Sequence, residues 1–353
     1  MRKFVKKKIR AWEESQNTAI AKKVAETIET LYLIYIFRIR IIQTKFYLAK
    51  LRIRKSNLPI KLQSSCAINF PKFDLPVINP SVVYDGENLQ GAARISNAGI
   101  SPFCDYAGRP IQNYRNRSEL LLDGIMVFQL NLNGEVSDLR VIRELSTIPN
   151  YEDPRIFIYK NQKFLVLIHN IGPLGKLKGP WNCIITLENL ESGKSYQLAS
   201  PTARMIEKNW VPIQNDQNLQ LLYSSNPITI VNFDLEQEEY DLITTDNFSQ
   251  LTLNNRTQVI KTPHPLIPYL RIASRKFANS KVGYTPFHYF EILSSTYKPI
   301  RMSKPFVFKC IQMEMCQGLT LHGEQVVLTW TEKDSDNYVG TIKLDAIIDF
   351  FDN

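Results

Sequence analysis

The stretch YEDPRIFIYKNQKFLVLIHN, Tyr151 to Asn170, contains two apolar runs separated by KNQ. This pattern predicts a strand, a turn of two or three residues and a second strand. The hairpin opens on Glu152, Asp153, Pro154 and Arg155, and a proline suits the first residue of a strand. Two interpretations of the acids remain open: a solvated strand entry in which Arg155 neutralises a neighbouring acid, or a functional site.

The same arrangement of apolar run, polar turn and apolar run recurs along the chain. It is found in PSVVYDGENLQGAARIS, WVPIQNDQNLQLLYSS and GLTLHGEQVVLTWTE. Hairpins that recur at intervals of about 40–75 residues predict a β-propeller, with a β-sandwich as the competing all-β fold. The predicted blades are five, and their approximate starts are Asn79, Glu152, Glu207, Arg271 and Cys316.

The predicted fold class is therefore all-β, a five-bladed β-propeller over residues 78–353. A basic helical arm, 1–55, and a proline-containing connector, 56–77, precede it. Residues 1–60 contain 15 Lys and Arg against 4 Asp and Glu, whereas the rest contains 28 against 30. The positive charge thus belongs to the arm, which argues against a nucleic-acid-binding core.

The arm mixes Tyr, Ile, Phe and Leu with Lys and Arg, as in LYLIYIFRIRIIQTKFYLAKLRIRK. Its apolar run Leu31–Phe37 is too short to span a bilayer, and no cleavage site of a signal peptide follows. We expect a helix at an anionic membrane surface, with packing on the main body or a nucleic-acid arm as alternatives. Five scattered cysteines indicate a reducing compartment, so the expected location is the cytoplasm, peripherally at the membrane.

Residues at the predicted strand entries are unusually polar. If the entries converge on one axial site, they bring together carboxylates, cations and an indole, a set suited to sugars and phosphates. Each residue also has a structural interpretation: an ion pair for Arg155, core filling for Trp210 and His288, and plain exposure for His322. The candidate residues are Arg94, Asn97, Glu152, Asp153, Arg155, Glu207, Lys208, Asn209, Trp210, Tyr284, His288 and His322.

EDPRI followed by a hairpin, EKNW farther on, TPFHYF and GLTLHGEQVVLTW together resemble a known family. It is the group of five-bladed propellers around glycoside hydrolase family 130, which comprises β-mannoside phosphorylases and related β-mannosyltransferases. The resemblance covers roughly residues 78–350. It implies that Asp153 is the single catalytic acid and that Arg155, Lys208 and His288 grip a phosphate or a nucleotide diphosphate. In the fourth blade, LRIASRKFANSKVGYTPFHYF has no glycine before Gly283, which disfavours inorganic phosphate.

The basic arm and the altered fourth blade favour an inverting glycosyltransferase. It would transfer a mannosyl group from a sugar nucleotide or sugar phosphate to a glycan acceptor, with Asp153 as general base or acid. The arm would bring it to a membrane where glycans are assembled. One alternative is a β-mannoside phosphorylase or hydrolase, in which Glu207 is the candidate second carboxylate. Another is a non-catalytic carbohydrate-binding propeller. No cofactor or metal is expected, since DSD at Asp334–Asp336 lies in a surface-like turn.

Overall fold

Five antiparallel sheets follow one another around a ring. They are seen in a computed structural model of the chain, which describes Thr27, Leu31, Arg38, Ile42 and the ranges 59–73, 75–96, 123–146, 150–170, 183–202, 207–245, 253–279, 283–309, 314–333 and 335–352. Each sheet is a blade of four strands, except that the first strand of blade four is divided in two. The predicted five-bladed β-propeller is confirmed.

The strands are numbered in chain order, and each blade is given from its inner to its outer strand. Blade one consists of β2 (Val77–Tyr84), β3 (Leu89–Ser96), β4 (Asp123–Leu130) and β5 (Val136–Ser146). Blade two consists of β6 (Asn150–Tyr159), β7 (Gln162–Asn170), β8 (Cys183–Asn189) and β9 (Ser195–Leu198). Blade three consists of β10 (Val211–Ile213), β11 (Leu219–Ser225), β12 (Ile228–Asp234) and β13 (Glu239–Thr244).

The remaining two blades complete the ring. Blade four consists of β14 (Asn254–Asn255), β15 (Ile260–Lys261), β16 (Tyr269–Asn279), β17 (Gly283–Leu293) and β18 (Pro299–Met302). Blade five consists of β19 (Glu314–His322), β20 (Gln325–Glu332), β21 (Asp336–Lys343) and β1 (Ser64–Ala67). A helix, α1 (Leu344–Asp352), follows β21.

Apolar packing between neighbouring blades holds the ring together. Each of the five blade-to-blade interfaces contains a cluster of buried apolar side chains. Successive side chains of a strand point to opposite faces of its blade. Because both faces pack on a neighbouring blade, each strand contributes apolar side chains to two clusters. The inner strand β2 contacts both β6 and β19, which places the inner strands side by side around the axis.

The hairpin of Tyr151–Asn170 forms as the sequence predicts. Strand β6 ends at Tyr159 and β7 begins at Gln162, so Lys160 and Asn161 make a two-residue turn. Both have positive φ, 49° and 61°, which is the geometry that matches the twist of paired strands. The polar entry of this hairpin consequently lies at the opposite end of the strands from the turn.

The predicted connector 56–77 contains a strand that the sequence analysis did not anticipate. Strand β1 pairs antiparallel with β21, with Ser64 opposite Thr341 and Ala67 opposite Tyr338. It forms the outer strand of blade five, so the two ends of the propeller close the ring together. Ile60, just before β1, is buried in the cluster between blades four and five.

The predicted start of blade four, Arg271, is wrong. The blade begins at Asn254, and Arg271 lies in its first full-length strand, β16, where it forms a buried ion pair with Glu291. The predicted helical arm, 1–55, falls outside the described residues except at Thr27, Leu31, Arg38 and Ile42, which are helical and exposed. Among the described residues, no helix has the length and apolar content needed to cross a bilayer.

Removal of residues 1–67 is expected to lower the free energy of unfolding by more than about 2 kcal/mol. It takes β1 from blade five, exposes the edge of β21 and removes the buried side chain of Ile60. Removal of residues 1–58 is the matched control, because it leaves β1 and Ile60 in place. Denaturant unfolding of both truncated chains tests this, and equal midpoints would show that β1 does not close the ring.

Candidate active site

The inner strands of blades one and two are interrupted at the same level. In blade one the register shifts between Ile78 and Ser81, and in blade two it shifts between Glu152 and Arg155. Each shift is a β-bulge formed by an Asn or Asp and the proline after it, Asn79-Pro80 and Asp153-Pro154. Asn79 and Asp153 have positive φ, 56° and 49°, which Asn and Asp tolerate better than most residues.

The two bulges bring these side chains into contact. Asn79 Nδ2 donates a hydrogen bond to Asp153 Oδ1 at 2.8 Å. In blade three, Asn209 also has positive φ, 66°, two residues before β10 begins, and its carbonyl accepts a hydrogen bond from Asn255 Nδ2. Three consecutive blades thus present an Asn or Asp in the left-handed conformation at their entries.

Glu152 organises the cations next to Asp153. Its Oε2 lies 3.1 Å from Lys208 Nζ and 3.9 Å from an Arg94 nitrogen. Its Oε1 accepts a hydrogen bond from Asn170 Nδ2 at 2.7 Å. Arg94 also pairs with the buried Asp123 at 2.6 Å. Glu152 therefore has partners on both oxygens, which suits it to holding Lys208 and Arg94 in place.

Two further arginines complete the group. Arg155 is buried, and its Nη1 donates to the backbone carbonyl of Asp153 at 3.1 Å, while its Nε and Nη2 have no hydrogen-bond partner. Arg256, between β14 and β15, is buried and donates from Nε to Ser274 Oγ. Burial lowers the pKa of Arg256 to about 10, and Asp153 and Arg155 are close enough to influence it. We call Asn79, Arg94, Glu152, Asp153, Arg155, Lys208 and Arg256 the entry cluster.

The cations of the entry cluster decide the ionisation of its acids. Burial by itself raises the pKa of Asp153, but the positive charges of Arg155, Arg94 and Lys208, with the hydrogen bond from Asn79, outweigh it. The net pKa of Asp153 is therefore lowered. The pKa of Glu152 is lowered in the same way. Burial raises it, but the positive charges of Arg94 and Lys208 outweigh the effect of burial. Both acids are carboxylates at neutral pH, and each is stabilised by positive charge.

His288 lies deep in blade four, beside the entry cluster. Its side chain is fully buried, and it packs near Phe306 and Phe308. Burial lowers the pKa of His288 to about 3, with a smaller contribution from the positive charge of Arg256. The ring is therefore neutral. Gln317, the extra residue of a bulge in β19, is also buried, and neither atom of its amide has a partner.

Glu207 and Trp210 lie in a separate buried network. The indole Nε1 of Trp210 donates to Glu207 Oε2 at 3.0 Å, and the hydroxyl groups of Ser200 and Tyr223 donate to Glu207 Oε1. Trp210 packs edge-to-face on Tyr223 within the cluster between blades two and three. These contacts favour a structural role for both residues, in which they fix the segment that carries Lys208.

The structure does not bring His322 to the entry cluster. It is the last residue of β19, at the hairpin end of blade five, where its ring contacts Tyr84. Tyr84 ends β2, whereas Asn79 lies near the beginning of β2. His322 is thus at the opposite end of the strands from Asp153. Asn97 and the side chain of Tyr284 are outside the described residues.

Several members of this site were absent from the sequence prediction. Asn79 had a signal, since Asn79-Pro80 repeats the Asp153-Pro154 pattern one blade earlier. Asn170 had none, because it ends an ordinary apolar strand. Arg256 was missed because the inner strand of blade four is two short pieces, β14 and β15, without a recognisable strand pattern.

No protein-family model matches this sequence, and neither does any curated protein sequence. Solved structures do match in fold. One is a structure from the glycoside hydrolase family 130 of mannoside phosphorylases, a family described as containing hydrolases that target β-1,2-mannosidic linkages in Candida mannan. Its TM-score is 0.52 at 9% sequence identity, and the match covers 77% of this chain and 85% of that chain. The chain has the fold of the family 130 propellers. The resemblance expected from the sequence is confirmed at that level.

Two other solved structures give the same result. The β-1,2-mannobiose phosphorylase of Listeria innocua, bound to β-1,2-mannobiose, has a TM-score of 0.52 and 9% identity, over 80% of this chain and 95% of that one. A glycosyl hydrolase of Bacteroides ovatus has a TM-score of 0.51 and 8% identity, over 83% and 92%. None of the three is named as a glycosyltransferase, so the expected transfer from a sugar nucleotide finds no support in them.

The burial of His288 predicts a loss of stability in acid. The unfolded chain binds a proton at this position with a pKa of about 6.5, whereas the folded chain does so only near a pKa of about 3. Protons therefore favour the unfolded state as the pH falls below 6.5, and the loss at pH 5 is about 2 kcal/mol. Between pH 7 and pH 5 the free energy of unfolding of His288→Phe should fall by about 2 kcal/mol less than that of the wild type. Denaturant unfolding at the two pH values measures this.

His322→Phe is the matched control, because that ring is only half-buried and lies at the far end of the strands. It should lose as much stability as the wild type over the same interval. Equal losses in the wild type and His288→Phe would contradict the neutral, buried state of His288.

Proposed function

We propose that this chain is an enzyme that cleaves β-mannosides by phosphorolysis, with Asp153 as its catalytic acid. The observation that supports this most directly is the position of Asp153 among cations. Its Oδ1 is fixed by Asn79, and the adjacent guanidinium of Arg155 has two buried nitrogens without partners. A buried guanidinium with free donors is suited to a phosphate oxygen.

The charge of the entry cluster also favours an anion. Four cations, Arg94, Arg155, Lys208 and Arg256, face three carboxylates, those of Glu152, Asp153 and Asp123. The three arginines are buried and Lys208 is exposed, and the excess positive charge of the whole group is relieved when a phosphate binds. Arg256, between β14 and β15, adds a buried cation from the glycine-poor fourth blade.

Hydrolysis with inversion needs a second carboxylate to activate water. The two candidates for a second carboxylate already have partners. Glu152 accepts from Asn170 and pairs with Lys208, and Glu207 accepts from Trp210 and two hydroxyl groups. A reaction in which phosphate itself is the nucleophile requires only one catalytic carboxyl group, and this favours phosphorolysis over hydrolysis.

In the proposed reaction, a phosphate oxygen attacks the anomeric carbon while the bond from that carbon to the glycosidic oxygen breaks. The proton of Asp153 passes to the departing oxygen, and the products are mannose 1-phosphate and the shortened glycan. Phosphate next to Arg155 would offset the charge that lowers the pKa of Asp153. Binding of the nucleophile would therefore help Asp153 to hold the proton that it must donate.

The substrate class comes from two of the proteins of the same fold, which are named for β-mannosides, and the chemistry comes from the entry cluster. In the reverse direction Asp153 would act as a base towards an acceptor hydroxyl, with a sugar phosphate as donor. The synthetic direction expected from the sequence is thus retained for a sugar phosphate, whereas no described contact favours a sugar nucleotide.

Asp153→Asn is expected to lower the release of mannose 1-phosphate from β-mannobiose and phosphate by roughly 10²–10⁴-fold, because the acid is lost. Asparagine keeps the shape of the side chain and tolerates positive φ. Asp138→Asn is the matched control, since Asp138 also has positive φ, 46°, but is exposed on the outer strand of blade one. It should retain full activity.

Other products would identify other functions. Release of free mannose at a rate independent of phosphate would identify a hydrolase, and consumption of a sugar nucleotide only with an acceptor would identify a transferase. Sugar binding without turnover, unchanged in Asp153→Asn, would identify a carbohydrate-binding propeller. Full phosphorolysis by Asp153→Asn would rule out the catalytic role of Asp153.

We also propose that residues 1–55 bind an anionic membrane surface. The first 60 residues contain 15 Lys and Arg against 4 acids. Leu31, Arg38 and Ile42 are helical and exposed, and their spacing of seven and four residues is that of one helix face. Apolar side chains beside cations suit the boundary between acyl chains and anionic headgroups.

Vesicles of phosphatidylserine and phosphatidylcholine should bind the full chain in a salt-sensitive manner, and vesicles of phosphatidylcholine alone should bind it weakly. Leu31→Glu with Ile42→Glu should weaken this binding at least about tenfold. Leu266→Glu is the matched control, because Leu266 is as exposed as Ile42, at 64%, but lies in the propeller. Equal binding after removal of residues 1–55 would refute the proposal and would place the membrane-binding surface outside the arm.

A further inference from the structure

Three side chains of blade five bind the backbone of the Asn79-Pro80 bulge in blade one. The amide of Asn79 donates to Thr331 Oγ1 at 2.8 Å, and the carbonyl of Pro80 accepts from Thr329 Oγ1 at 2.6 Å. The carbonyl of Val77 accepts from Asn337 Nδ2 at 2.7 Å. The bulge is therefore bound on both sides of Asn79 by groups from a neighbouring blade.

These groups form one buried unit. The Thr331 hydroxyl donates to Asn337 Oδ1 at 2.7 Å, and Thr329, Thr331 and Asn337 are all at least nine-tenths buried. Close packing from β19 leaves Thr329 little freedom, since a Cβ placed on Gly318 would lie 2.0 Å from Thr329 Oγ1. The hydroxyl groups thus present a rigid surface to the bulge.

We propose that Thr331 is a positioning residue for the Asp153 carboxyl group and acts through Asn79. The Thr331 hydroxyl accepts the amide hydrogen of Asn79 and donates its own hydrogen to Asn337. It thereby holds Asn79 in the left-handed conformation that aims Nδ2 at Asp153 Oδ1. The catalytic part of this inference rests on the function proposed above, but the positioning part does not.

The physical basis is the cost of the backbone conformation. A positive φ in a residue other than glycine persists only where surrounding contacts determine it. When Thr331 no longer accepts from its amide, Asn79 can relax towards an ordinary strand conformation, which rotates Nδ2 away from Asp153. Asp153 would then keep its cations but lose the hydrogen bond that favours its ionised form.

Thr331→Val removes the hydroxyl group and keeps the shape of the side chain. The carboxyl pKa of Asp153, followed by ¹³C NMR of aspartate-labelled protein and assigned by its absence in Asp153→Asn, should rise in this variant. Mannose 1-phosphate release should fall in kcat by roughly 10- to 100-fold, as expected for a misplaced catalytic group. Thr331→Ser, which restores the hydroxyl, should return both values close to those of the wild type.

Thr320→Val is the matched control. Thr320 also lies in blade five and accepts a hydrogen bond from a backbone amide of blade one, that of Tyr84, but at the hairpin end of the strands. This variant should lower the melting temperature about as much as Thr331→Val and leave the Asp153 pKa and kcat unchanged. The charged groups around Asp153 are the same in both variants, namely Arg94, Glu152, Arg155, Lys208 and Arg256.

A double-mutant cycle shows whether the effect passes through Asn79. In the background of Asn79→Ala, Thr331→Val should no longer change the Asp153 pKa. If Thr331→Val unfolds the protein, Thr331→Ala removes the hydroxyl without overpacking and gives the same comparison. An unchanged Asp153 pKa in Thr331→Val and Thr331→Ala, each made in the otherwise wild-type chain, would overturn the inference. Because the NMR measurement needs no substrate, a shifted pKa without any phosphorolysis would refute only the proposed function.

Discussion

The hydrogen bond from Asn79 to Asp153 is the contact on which the candidate active site depends. It joins blades one and two at the level of their β-bulges, where both inner strands depart from regular strand geometry. Each bulge alone would be a local irregularity, and together they turn an amide and a carboxylate towards each other. The apolar clusters between the blades supply the rigidity that keeps this geometry, since the ring fixes how far apart neighbouring inner strands can lie.

The two adjacent acids of this site have different surroundings and hence different uses. Glu152 has partners on both of its oxygens and contacts both Lys208 and Arg94. Asp153 has a hydrogen-bond partner on one oxygen among the described residues, and in the proposed function its other oxygen faces the substrate. Two neighbouring carboxylates can thus have different roles, one structural and one chemical, when their surroundings differ.

The sequence predicts the propeller well because blades are local. Alternating apolar runs and turns such as Lys160-Asn161 need no knowledge of distant residues, and the acids of Glu152-Asp153-Pro154-Arg155 precede an evident strand. Prediction fails where a residue depends on partners far along the chain. Arg256 lies in a strand too short for a pattern, Glu207 and Trp210 satisfy each other, and β1 becomes a strand only because β21 presents an edge to it.

The closure of blade five has a consequence for biosynthesis. Thr331, which binds the amide of Asn79, lies 252 residues further along the chain, and β1 pairs with the last strand of the propeller. A ribosome releases the amino-terminal blades long before these partners exist. Blades one to four can fold as they emerge, but the ring can close only when synthesis of the propeller is nearly complete. The contact between Thr331 and Asn79 then forms in the last step of assembly, so a prematurely terminated chain contains Asp153 without the blade-five contacts that hold its partner Asn79.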